Sequence, residues 1–145
     1  MSGRRNAISA LTITALLMFI LAAPTIDANS SGRHNSAGGC NCHSGASGLV
    51  TPSLSGLPSQ YTPGSFYTLT ISGTGSPSGS EGGFSMFANK GSWSNPGSSV
   101  QISGLSVTHS NDARRTWTVT WTAPVAGSGT ALINLAVNFA NGNGN

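Results

Sequence analysis

From Thr116 to Thr122 the chain reads Thr-Trp-Thr-Val-Thr-Trp-Thr, so that Trp117, Val119 and Trp121 alternate strictly with threonine. A period of two puts the three large apolar side chains on one face of an extended segment and the threonines on the other, a separation no helix achieves. Threonine and tryptophan also fit a pleated, half-buried surface. The segment therefore predicts an antiparallel strand with one face against a core and the other toward solvent. After a turn from Pro124 to Gly129 the pattern returns in Ala131, Ile133, Leu135, Val137 and Phe139, with Asn134 and Asn138 on the outer face.

Weaker versions of the same signal fill the middle of the chain. Leu49 to Leu57 reads as a first strand ending at Pro58, and Phe66 to Ile71 as a second, with Tyr67, Leu69 and Ile71 on one face. Gly73 to Gly83 is rich in Gly, Ser and Pro and reads as a loop; Phe84, Met86 and Ala88 then share one face of a third strand. Gly91 to Ser99, which carries Trp93 and Pro96, reads as irregular, and Val100 to Thr108 as one strand or a pair of short ones. Short strands separated by turn residues at intervals of about 8 to 12 residues predict an all-β fold, an antiparallel immunoglobulin-like β-sandwich, with a small barrel as the competing architecture. No helix is expected after the N-terminal segment.

That segment sets the compartment. Arg4 and Arg5 precede an apolar run from Ala10 to Ala23, and Ile26-Asp27-Ala28 ends on a small residue. This is the order of a secretory signal, and the run is shorter than the roughly 20 apolar residues that span a bilayer. Residues 1–28 are thus expected to be removed, leaving no membrane span, a flexible Gly/Ser-rich leader over 29–47 and a sandwich domain over 48–145. One core can be built from that length. Arg33, Lys90, Arg114 and Arg115 face only Glu81 and Asp112 in the exported part, too few charges for a nucleic-acid surface.

Several motifs in this order resemble a known family. A Cys and His knot follows a Ser/Gly-rich leader; then come Leu57-Pro58-Ser59-Gln60-Tyr61-Thr62-Pro63-Gly64, Tyr67-Thr68-Leu69-Thr70-Ile71, Trp117 through Ala123-Pro124, and Asn138 through Gly144. Together they are similar to the choice-of-anchor V domain, itself similar to the reelin-type (Reeler) domain. The resemblance covers nearly all of the chain after the signal. It implies an exported, immunoglobulin-like sandwich of the cell surface, often attached by a separate C-terminal segment. Two departures stand out. Family members commonly show Cys-x-x-Cys-His, whereas a single Asn41 separates Cys40 from Cys42 here. Relatives also generally continue beyond the position of Asn145 into a further strand, so a final strand is expected to be lacking, and the open sheet edge could then be completed by strand sharing between copies.

Chemistry, if the chain has any, concentrates at the knot, because Cys40, Cys42 and His43 include both cysteines and one of three histidines. Three states are open. Attachment of c-type haem uses two thiols and the following histidine as iron ligand; Cys42-His43 supplies half of that signature, but positions i and i+2 do not share a helix face. A local Cys40–Cys42 disulfide is favoured by export, with the Cα atoms of an extended i, i+2 pair about 6 to 7 Å apart, near the upper limit for the bond. A metal site would combine Cys40, Cys42 and His43 with His34, a donor set for zinc or copper(I), although the spacing matches no standard zinc motif.

The other candidates are weaker. His109, Ser110 and Asp112 are too close in sequence to converge as a catalytic triad, and His109 reads as a solvated loop residue. Glu81 and Asp112 show no sign of flanking a cleft as a glycosidase pair would. Trp117 and Trp121 follow the core alternation, which leaves Trp93 as the aromatic residue available to contact a ligand. The sequence thus predicts a non-enzymatic module with no catalytic residues. It would sit at the cell surface or in the extracellular space, with loops Ser72–Gly83 and Gly91–Ser99 presented to an envelope or extracellular protein or glycan. The alternative is a small exported redox module with haem, or a metal ion, at the knot.

Overall fold

The computed structural model describes residues 30–38 and 49–141. The proposed signal, Cys40, Cys42 and His43 lie outside the described residues. Eight strands follow in order: β1 (Val50–Ser55), β2 (Phe66–Gly75), β3 (Gly82–Ala88), β4 (Ser92–Ser94), β5 (Val100–Ser103), β6 (Ser106–His109), β7 (Trp117–Thr122) and β8 (Ile133–Phe139). They form two four-stranded sheets, β1-β2-β7-β4 and β5-β6-β3-β8, and every ladder is antiparallel.

The register explains why alternation was so clear in β7. Tyr67 pairs with Trp121, Leu69 with Val119 and Ile71 with Trp117, so the apolar sides of β2 and β7 form one surface. Phe84, Met86 and Ala88 of β3 and Val107 of β6 supply the facing layer, and these side chains close into one buried cluster. Burying a side chain such as Leu69, Ile71 or Val107 contributes about 1.5–3 kcal/mol. Two aromatic groups anchor the ends of that layer. Trp121 packs its ring edge to face with Tyr61 at 5.8 Å between centroids, and its Nε1 donates to Lys90 O at 3.1 Å. Trp117 packs on Phe84 at 4.9 Å, and its buried Nε1 has no hydrogen-bond partner among the described residues.

Three local readings change, and a fourth is settled as the second of its two alternatives, a pair of short strands. The first strand is shorter at both ends than Leu49–Leu57. The second runs on to Gly75, because Ser72, Gly73 and Thr74 stay in register with β1, which shortens the expected Gly73–Gly83 loop to residues 76–81. The stretch from Gly91 to Ser99 contains β4, which pairs Trp93 with Trp121. Val100 to His109 is a hairpin, β5 and β6, turned at Gly104 and Leu105.

Candidate functional site

The outer face of the β5-β6-β3-β8 sheet carries Ser85, Ser106 and Thr108, all buried. What covers them is the leader. Arg33 N–H donates to Thr108 Oγ1 at 3.2 Å, Asn35 N–H to Ser106 Oγ at 2.9 Å and Ser36 N–H to Ser85 Oγ at 3.1 Å. Gln101 Nε2 donates to Ser31 O, so the segment crosses from β5 over β6 to β3. A leader expected to be flexible is, over residues 30–38, docked on the domain. Hydroxyls can accept and donate at once; Thr108 Oγ1 also donates to Phe84 O at 2.6 Å, tying the leader to the β3 main chain.

His34, the one member of the suggested metal set among the described residues, lies on this face with Nδ1 3.3 Å from Ser106 Oγ. Among the described residues no group of three His, Cys, Asp or Glu comes together. His109 differs from its reading as a solvated loop residue. It ends β6 half-buried, and Phe84 N–H donates to its Nδ1 at 3.0 Å, so the ring occupies the place of the next rung of the β3–β6 ladder. Gly83 makes this approach feasible, since a Cβ there would meet His109 Cε1 at 2.5 Å. Ser110 and Asp112 use main-chain groups instead: Ser110 N–H donates to Ser99 O, and Asp112 O accepts from Gly82 N–H.

Trp93 was the aromatic residue singled out for ligand contact. The structure places it in the core, 8% exposed, with Nε1 donating to Leu105 O at 2.9 Å. Its ring is occupied by packing, and little of it is left to meet a ligand.

At one end of the sandwich, residues 76–81, 95–99 and 110–116 converge. Arg115 lies 4.1 Å from the centroid of Phe139 and donates from Nε to Glu81 O and from Nη2 to Ala140 O. Arg114 Nε and Asn111 Nδ2 both donate to Ser99 Oγ. Gly79, Ser80 and Ala113 through Thr116 line a shallow, open depression there. The Glu81 carboxyl is held below its ordinary range by its own main-chain amide first, then by the Ser80 hydroxyl and amide, and last by the charge of Arg115. A carboxyl with a depressed folded-state pKa stabilises the fold above its unfolded pKa and loses that contribution as pH falls through the folded value. An NMR titration should place the Glu81 midpoint below that of an unstructured glutamate, and Ser80→Ala should move it back upward.

Fold and surface together define a class, the antiparallel β-sandwich with a polar strap across one sheet. Solved structures that resemble it include reeler domains of F-spondin. No family model matches the chain, and no curated protein matches it. The Reelin-N domain of F-spondin aligns with a TM-score of 0.52 at 22% identity, over 77% of this chain and 80% of that one. A fragment of the human F-spondin reeler domain aligns with a TM-score of 0.50 at 24% identity, over 62% and 78%, and another with 0.49 at 24%, over 61% and 74%. At these identities the likeness establishes a Reeler-like fold and nothing finer. Among the described residues no helix is long and apolar enough to cross a membrane.

Proposed function

We propose that the chain is an exported, non-catalytic binding module of the cell surface or extracellular space, serving adhesion or assembly. The observation that carries this reading is how the described ionisable groups are used. His34 and His109 hold a serine hydroxyl and a strand amide, the Glu81 carboxylate accepts from its neighbour Ser80, and Arg115 ties the residues flanking β3 and β8 together. These groups serve the scaffold, and what the scaffold presents is surface. The Reeler-like fold and the signal-like pattern of Arg4, Arg5 and Ala10–Ala23 support placement outside the cytoplasm. The finer kinship with choice-of-anchor V domains rests on the motifs quoted above.

The full chain, produced with its own residues 1–28 in an exporting host, is expected in the medium or on the surface with its N-terminus near Asn29. Retention inside the cell with those residues intact would overturn the reading. The knot is tested by the same material. Intact mass and alkylation without reductant are expected to show Cys40 and Cys42 joined in a disulfide, two hydrogens lighter than the dithiol. A red protein heavier by one haem, made in a host with haem-attachment machinery, would instead establish the redox alternative, and a bound metal would establish the metal site. Strand sharing at β8, an edge strand of its sheet, would be the means by which copies assemble.

A further inference from the structure

We propose that the outer face of the β1-β2-β7-β4 sheet binds a neutral polysaccharide; the proposal rests on the extracellular reading above and names the ligand class. The face is built by register. Thr70 pairs with Thr118, Thr68 with Thr120 and Phe66 with Thr122, and Ser94 and Ser92 of β4 continue the last two rows. Hydroxyl groups therefore recur about 4.8 Å apart across the strands and about 6.7 Å apart along them. Thr68 and Thr118 are exposed, Thr70 and Thr122 are half-buried, and Thr120 sits lower, 7% exposed.

The two sheets treat their hydroxyls differently. On the other sheet Ser85, Ser106 and Thr108 are taken up by the amides of the leader. On this one the described structure gives the threonine hydroxyls no partner from the chain. No charged residue lies in any of the four strands, so an ionic ligand would find no counter-charge on the face and would lose hydration without compensation. Hydroxyls both donate and accept, and the ligand that answers a rank of them is another rank of groups that do both: the hydroxyls of an uncharged sugar chain. Phe66, 74% exposed at the end of these rows, adds a ring whose face can stack on the apolar side of a sugar. Strand twist rotates successive rows by about 20–25°, which suits a single twisted chain better than a flat crystal face.

Affinity electrophoresis of the purified protein through gels containing hydroxyethyl cellulose, xylan or dextran tests this. At least one gel is expected to retard the protein, equally at low and high sodium chloride. Phe66→Ala and the pair Thr68→Val with Thr118→Val should each weaken retardation about tenfold or more, with circular dichroism unchanged. No retardation by any of the three would overturn the proposal, as would retardation that survives both variants. Binding only to a sulfated polysaccharide, abolished by salt, would point to Arg114 and Arg115 and also overturn it. A dimer in sedimentation that Phe66→Ala dissolves would make the face a contact between copies and overturn the proposal. Protein retained in cells can be purified and assayed in the same way, so failure of export and failure of binding are separately visible.

Discussion

Trp121→Ala is expected to destabilise the domain by about 3–5 kcal/mol, the usual cost of emptying a large aromatic site in a core. Against a typical total of about 5–15 kcal/mol, much of the protein would be unfolded under mild conditions. The side chain is 1% exposed and packs against Tyr61 and Tyr67. Its β7 neighbour on the same face, Trp117, is equally buried, yet the two indoles differ in one respect that separates their phenylalanine variants. Trp121 Nε1 donates to Lys90 O, whereas Trp117 Nε1 has no partner among the described residues. Trp121→Phe loses volume and leaves a carbonyl without its donor; Trp117→Phe loses volume while removing a buried N–H whose desolvation costs about 1–3 kcal/mol. Urea unfolding midpoints should therefore rank Trp117→Phe above Trp121→Phe, and both above Trp121→Ala. The reverse order of the two phenylalanine variants would mean that the Lys90 contact contributes nothing.

Thr108→Val is expected to have the second largest effect, about 1–3 kcal/mol, although it keeps shape and volume almost unchanged. The lost hydroxyl accepts from Arg33 N–H and donates to Phe84 O inside a buried seam. Both groups would be left without that bond, and the leader would lose one of its three amide attachments. Unfolding by denaturant should report the global loss, and trypsin should cut faster after Arg33 if the leader has loosened. Thr118→Val, on the opposite sheet, is the control: its side chain lies outside the core, and its variant should fall within about 0.5 kcal/mol of the parent. Equal effects at the two positions would show that the leader contact is not what distinguishes them.

The strands most plainly legible in the sequence were those whose two faces meet different surroundings for six residues or more. β7 and β8 qualify because one side meets the core and the other does not, so the apolar period survives along their length. β4 was missed because three residues offer a single inward position, Trp93, between Ser92 and Ser94; a period cannot be read from one peak. The same brevity led Trp93 to be taken for an exposed aromatic in a polar loop, when pairing with Trp121 draws it inside. His109 followed a similar course. Its polar neighbours Ser110 to Asp112 resemble a solvated turn, and only the empty Cβ position at Gly83 shows that a ring fits there. The docking of the leader left no trace in the sequence, since small polar residues read alike whether they lie in solvent or on a sheet. The knot at Cys40, Cys42 and His43 remains a matter of sequence chemistry.

The way the leader is gripped governs how freely that stretch can change. Its attachments at positions 33, 35 and 36 are made by peptide amides, which every amino acid but proline supplies. Shape constrains two positions: Gly32 has a φ of +74° and a Cβ there would run into His109 O, and Asn35 has a φ of +59°, a conformation that favours Gly, Asn and Asp. Outside Gly32, His34 and Asn35, a tether held in this fashion tolerates a wide vocabulary of residues while keeping its place on the sheet. Mutational drift can therefore rewrite the approach to Cys40 without undoing the anchorage behind it.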